Sequence, residues 1–177
     1  MSLHAVPPGI HAPDEVNVII EIPANTGPIK YEVDKVSGAV FVDRFMATPM
    51  FYPCNYGYVP ETLADDGDPL DVLVITPYPL LSGCVVTARP VAVLKMRDEA
   101  GDDAKILAVP PTRLTTEFQD VVSPETVQVQ LLRRIEHFFA HYKDLEPGKW
   151  VEIEGWGDAA VARSLIVESL ERHKDHQ

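Results

Sequence analysis

The sequence predicts one mainly β domain of the α+β class, a small barrel or sandwich with helices packed on it. Three observations predict it. Short segments rich in β-branched residues recur along most of the chain, with turn chemistry between them. No strand–helix–strand alternation is visible, which argues against a doubly wound parallel sheet. Helical periodicity comes only late, in two stretches.

Residues 1–15 are Pro-rich and read as an irregular lead-in. Strands are expected at VNVIIEI (16–22), IKYEVD (29–34), AVFVDRF (39–45), LDVLVIT (70–76), CVVTARPVAVLKM (84–96), KILAVP (105–110) and WVEIEGW (150–156). The connections PANTGP, KVSG, PYPLLSG and DEAGDD carry Gly, Pro, Asn and Asp, the usual turn residues. FYPCNYGYVP (51–60) reads as a loop bounded by Pro and Gly, in which Tyr52, Tyr56 and Tyr58 either form a small core of its own or offer hydroxyls to an anion or a metal-bound water. Ser123-Pro124-Glu125 offers an N-cap, a first-turn proline and an acid near the positive helix end. From there Val127, Leu131, Ile135, Phe138 and Tyr142 form one apolar stripe, and Glu146-Pro147-Gly148 is expected to end the helix. A second helix starts near Asp158, carries Val161, Leu165 and Leu170, and frays into ERHKDHQ. No linker or repeat divides the chain, so residues 1–177 read as a single domain.

A chain of 177 residues, 46% hydrophobic and 24% charged, can bury a substantial core. Its formal net charge is −12, which argues against nucleic acid or a membrane surface as partner, since both need a basic footprint. The same charge permits metal cations, and bound cations are the usual means by which an acidic protein handles an anionic substrate. Cys54 and Cys84 show no metal or redox spacing and read as apolar fillers or free thiols. The first residues have neither the basic nor the apolar region of a signal peptide, and no apolar run approaches the ~20 residues of a membrane helix. The expectation is a reduced, cytoplasmic protein.

The chemistry concentrates in DDGDPLD (65–71), four aspartates around one glycine and one proline, directly before an apolar strand. Asp66, Asp68 and Asp71 stand at i, i+2 and i+5, where a turn opened by Gly67 and stiffened by Pro69 could aim them at one point. Convergent carboxylates favour hard divalent cations such as Mg²⁺, Mn²⁺ or Ca²⁺. The EF-hand pattern fails: counted from Asp66, Asp71 stands where glycine is needed and Pro77 where glutamate is. A second acidic turn, RDEAGDDAK, holds Asp98, Glu99, Asp102 and Asp103 before Lys105. Alone it is an ordinary hairpin turn. At the same barrel end as the first, it could complete a site for two or more metals, which favours in-line displacement at phosphorus. Glu21, Lys30, Glu32 and Arg44 each interrupt or edge an apolar strand, a polar patch of both signs in which Lys and Arg could hold phosphate oxygens. His137 and His141 form an i, i+4 pair, but HExxH is absent; a packed surface or subunit interface is the preferred reading over zinc.

DDGDPLDVLV resembles the signature of the family I soluble inorganic pyrophosphatases, in their short, prokaryotic-type form. IEIPANTGPIKYEVDK, GAVFVDRFMATPMFYPCNYGYVP, RPVAVLKMRDEAGDDAKILAVP and HFFAHYKDLEPGKWVEIEGW are similar to that family's further blocks, in its order. The resemblance covers roughly residues 5–175. It implies Mg²⁺-dependent hydrolysis of inorganic diphosphate, bound as its magnesium complex, with several cations per site and Mn²⁺ or other divalent cations as possible substitutes. It implies that Asp66, Asp71 and Asp103 hold a metal pair, with Asp98 on a further metal. Asp68 then stands as general base toward the activated water, and Glu21 and Glu32 form an acidic rim. Lys30, Arg44, Tyr56, Tyr142 and Lys143 correspond to the phosphate-binding set, with Tyr52, Glu99 and Lys105 supporting them. The implied fold is a closed five-stranded barrel of OB type with flanking helices, and the implied assembly a homohexamer of two trimers with His137 and His141 near an interface. Two other readings stay open: a metal-dependent hydrolase of organic or nucleoside diphosphates, and an OB-type binding module for nucleic acid or oligosaccharide, which would need a basic groove with exposed aromatics.

Overall fold

The structure, a computed structural model, describes residues 3–34 and 36–176. Its strands are β1 (Val16–Ile22), β2 (Ile29–Val33), β3 (Val40–Phe45), β4 (Asn55–Tyr58), β5 (Asp71–Val74), β6 (Val85–Asp98), β7 (Gly101–Val109) and β8 (Val151–Asp158). The helices are α1 (Val129–His141) and α2 (Ala159–Asp175). Five strands close a ring in the order β1-β4-β5-β7-β6, because β1 pairs with β4 on one side and with β6 on the other. β8 extends the sheet beyond β6, and β2 and β3 form a separate hairpin. The expected closed five-stranded barrel with flanking helices is what the chain forms.

The ring follows from the sequence pattern. β1 is buried except at Asn17, so its near-continuous apolar run has wall on both sides. Alternate residues of the other strands divide between two apolar clusters. Leu73, Leu94, Leu107 and Tyr56 pack with Ile135, Phe138 and Phe139 of α1. Val72, Val74, Val93 and Ile106 pack with Ala162 and Ile166 of α2. Asp158 caps α2 by accepting from the Val161 amide at 3.0 Å.

Three local expectations are corrected. The tyrosine loop contains a strand, β4, buried at Asn55, Tyr56 and Gly57 and paired with both β1 and β5. A Cβ on Gly57 would stand 1.9 Å from the Ile19 carbonyl oxygen, so a side chain there is incompatible with the β1–β4 approach. Ser123 starts only a short 3-10 turn, Pro124–Thr126; Val127 is extended, and α1 begins at Val129. α1 also stops at His141, ahead of Glu146-Pro147-Gly148. The Thr48 hydroxyl donates to the Tyr142 carbonyl at 2.7 Å, while the Glu146 amide donates to the Lys143 carbonyl at 2.9 Å. The carbonyl that would continue the helix is thus bonded elsewhere.

The feature that positions the site is the pairing of β5 with β7, the parallel pair in an otherwise antiparallel ring. Parallel neighbours start at the same end. Both strands leave an acidic turn, so DDGDPLD and RDEAGDD meet at one end of the barrel. Val72 pairs with Ile106, which sets Asp71 and Lys105 side by side.

Candidate functional site

A cavity of about 700 Å³ opens at this barrel end. Glu21, Lys30, Glu32, Tyr56, Asp66, Asp68 and Asp71 line it, together with Leu3, His4, Tyr58, Glu61 and His173. Asp66 also borders a second cavity of about 180 Å³ behind the turns, where Asp103 lies. Arg44, Tyr52, Asp98, Glu99, Lys105, Tyr142 and Lys143 line neither cavity; Lys105 and Tyr52 touch the lining residues Asp71 and Tyr56.

The side-chain bonds form three groups, one around Lys105, one around Lys143 and one around Lys30 and Arg44. Lys105 is nearly fully buried and donates to Asp71 at 2.5 Å and to Asp103 at 2.7 Å, with the Tyr56 hydroxyl at 3.4 Å. Burial opposes its charge, but Asp71 and its neighbours hold the ammonium's pKa well above the ordinary lysine value. Lys143 donates to Asp98 at 2.6 Å and reaches Glu99 at 3.4 Å, and Lys149 meets Glu99 at 2.5 Å. Some burial of Glu99 is outweighed by these two cations, which hold its pKa down to about 2. Lys30 pairs with Glu32 at 2.5 Å and approaches Asp43 at 3.5 Å. The Lys30–Glu32 pair forms although a register shift falls between Lys30 and Tyr31. Arg44 lies opposite Lys30 on β3 and donates to Glu146 at 3.2 Å.

The carboxylates crowd one another. Burial raises the Glu21 pKa to about 7, an effect opposed by the Val33 amide at 2.8 Å and reinforced by Asp71 and Glu32. Partial burial also raises Asp66, and the charges of Asp103 and Asp71 add to it against the Asp68 amide. Asp103 in turn lies within electrostatic reach of Asp71 and Asp98. Tyr52, Tyr56 and Tyr142 are pushed up mainly by burial, so all three keep their hydroxyl protons. Tyr52 and Tyr56 meet at a tilt with ring centroids 5.4 Å apart, and Tyr142 stacks on Phe138 at 5.3 Å. These buried rings are no exposed stacking platform, which removes the support for a nucleic-acid module.

One geometric expectation is not met. Asp66, Asp68 and Asp71 do not converge on a point, and among the described residues no three acidic, His or Cys side chains are grouped to enclose an ion. The reason is local: Asp66 Oδ1 accepts from the Asp68 amide at 3.0 Å, while Asp71 is engaged by Lys105. The chemistry of the donor set nonetheless fits hard divalent cations. Every ligand candidate is a carboxylate, and the mutual repulsion at Asp66 is what a divalent charge relieves. Asp65, the first aspartate of DDGDPLD, pairs with Arg172 of α2 at 2.6 Å and ties the turn to that helix. The His137 and His141 rings lie tilted with centroids 4.6 Å apart, and His141 meets Asp144 at 2.8 Å.

Sequence reasoning passed over Asp43, Glu146 and Lys149, which pair with three candidate site residues. Glu146 was legible only as part of a helix-stopping tripeptide. His4 and His173 come from the two ends of the chain, and no spacing signal links them to the site.

The family model described as inorganic pyrophosphatase matches residues 18–174. The chain belongs to the inorganic pyrophosphatase family. Relatives of that name from Yersinia pestis and Vibrio cholerae are 59% and 60% identical, over 98% and 97% of this chain and 99% and 98% of theirs. A crystal structure described as an inorganic phosphatase from Anaplasma phagocytophilum superposes with a TM-score of 0.94 at 47% identity, covering 96% of this chain and 99% of that one. The family therefore extends over the barrel, both acidic turns and both helices. No helix among the described residues is long and apolar enough to cross a membrane.

Proposed function

We propose that this chain hydrolyses inorganic diphosphate to two phosphates with Mg²⁺ as its cofactor. The observation that carries the reading is the shared origin of β5 and β7, which gathers two acidic turns and Lys105 at one end of the barrel. Asp66, Asp71, Asp103 and Asp98 would hold the cations, with Glu21 and Glu32 reaching them through water; Mn²⁺ and other divalent cations share this preference for oxygen. Bound there, the cations supply an activated water and neutralise the diphosphate, which arrives as its magnesium complex. That answers the charge problem of an anionic substrate at a protein of net charge −12.

The chain's own groups do the rest. Asp68, exposed on the cavity wall, accepts the proton of the attacking water. The water oxygen bonds to one phosphorus as the bridging P–O bond breaks. Lys30, Arg44 and Lys143 offset charge on the phosphates, while Tyr56 and Tyr142 donate protonated hydroxyls. Lys105 holds Asp71 and Asp103 in place, Glu99 holds Lys143, and Tyr52 packs against Tyr56.

The reading extends to a cytoplasmic homohexamer, a dimer of trimers. Cys54 and Cys84 are both free thiols, in keeping with a reducing compartment. Phe41, Phe45, Phe51 and Trp150 are exposed in the single chain, and subunit contacts would cover such apolar area. Sizing in solution tests the assembly. A substrate panel tests the activity: release from inorganic diphosphate should exceed release from nucleoside di- and triphosphates, and a preference for the organic substrates would overturn the assignment.

A further inference from the structure

We propose that Glu146 is a positioning residue that holds Arg44 toward the substrate and locks it to the segment carrying Tyr142 and Lys143. The proposal rests on the reading of Arg44 as a phosphate ligand. The two phosphate arms come from separate parts of the molecule. Arg44 lies on the β2–β3 hairpin, which is not part of the barrel sheet. Lys143 follows α1. Two contacts bridge them. Thr48, just past β3, donates its hydroxyl to the Tyr142 carbonyl at 2.7 Å. Arg44 Nη1 donates to Glu146 Oε2 at 3.2 Å, across 102 residues of sequence.

Glu146 is built into the same turn as Lys143, because its amide donates to the Lys143 carbonyl at 2.9 Å. A carboxylate anchored there fixes the guanidinium relative to the other cation. The Glu146 side chain is 19% exposed and that of Arg44 38%, so water competes weakly at the carboxylate and screens the pair from the arginine side. Asp43, the residue before Arg44, is a poorer anchor, with its carboxylate 3.8 Å from Arg44 Nε. Glu146 takes one N–H of Nη1; Nε is buried without a partner and out of reach, so the remaining Nη N–H groups are the donors left for a phosphate. An arginine held by one carboxylate with spare donors suits a phosphate, whose oxygens take forked N–H groups. Ordering that side chain in advance removes entropy that substrate binding would otherwise have to supply.

The experiment is a double-mutant cycle on the intact protein with Mg²⁺-diphosphate as substrate, using Glu146→Gln, Arg44→Ala and the double variant. Glu146→Gln keeps the shape but loses the charge, and thermal unfolding confirms that each variant folds. The expected result is a KM about 10-fold higher for Glu146→Gln with kcat changed less than about 3-fold, and partial recovery of KM in Glu146→Asp. In the Arg44→Ala background the Glu146 substitution should have no further effect on KM. If Arg44→Ala raises KM while Glu146→Gln does not, or if the two effects multiply, the positioning role is refuted and the phosphate role of Arg44 stands. If Arg44→Ala leaves KM unchanged, the phosphate role of Arg44 fails and the positioning role falls with it.

Discussion

Removing the ammonium of Lys105 tests whether the acidic end of the barrel is held by compensating charge. Lys105→Met keeps the length and apolar stem of the side chain but leaves Asp71 and Asp103 facing each other. The Lys105 side chain is 5% exposed, Asp103 11% and Asp71 23%, so water reaches these carboxylates poorly. Breaking one side of a buried ion pair costs about 3–5 kcal/mol, and the partial hydration of Asp71 favours the lower end, about 3 kcal/mol. For a domain of this size each kcal/mol moves the melting temperature by about 2–4 °C, so the expected fall is about 6–12 °C in chelator. Divalent cations should counteract it. Mg²⁺ at about 100 times its dissociation constant adds about 2.7 kcal/mol to a state that binds it. The assay is thermal unfolding by circular dichroism, in chelator and in excess Mg²⁺. A fall of less than about 2 °C in chelator would refute the charge-compensation argument. A full fall that Mg²⁺ leaves unchanged would refute the role of these carboxylates as cation ligands.

The remaining predictions are direct. Asp68→Asn should lower kcat by about 10²–10⁴-fold while leaving Mg²⁺ binding by calorimetry close to the parent; near-parental turnover would remove Asp68 as the base. Gly57→Ala should destabilise the fold by about 3 kcal/mol or more, because the new Cβ meets the backbone of β1 rather than a movable side chain; a melting temperature within 2 °C of the parent, about 0.5–1 kcal/mol at this size, would contradict the β1–β4 approach. Burial lifts the Cys54 thiol to about 12, so its thiolate is scarce at neutral pH and the native protein should leave it unalkylated at pH 8. Peptide mapping should find label on Cys54 only after denaturation.

Much of the fold was legible because its strands carry their burial in their residues. β1 runs from Val16 to Ile22 as VNVIIEI marks it, since a strand with wall on both sides must be apolar almost throughout. The β6–β7 hairpin was legible from its acidic, glycine-bearing turn. β4 was hidden, because Asn55-Tyr56-Gly57-Tyr58 lacks β-branched residues and sits between proline-rich neighbours. What places it in the sheet is the absence of a side chain at Gly57, which is meaningful only once β1 lies against it. Ring closure by β1 and β6, and the parallel β5–β7 pair, were likewise beyond local pattern. The family resemblance supplied the candidate ligands, while the physical reason that both acidic turns share an end is that parallel pair. Glu146 escaped notice because its importance lies in a partner 102 positions away.

The most direct test of the central claim is phosphate release from inorganic diphosphate by chelator-treated protein, measured before and after Mg²⁺ is returned. Release should be at background without the cation and rise by several orders of magnitude with it. Equal release under both conditions, or none with Mg²⁺ present, would contradict the account.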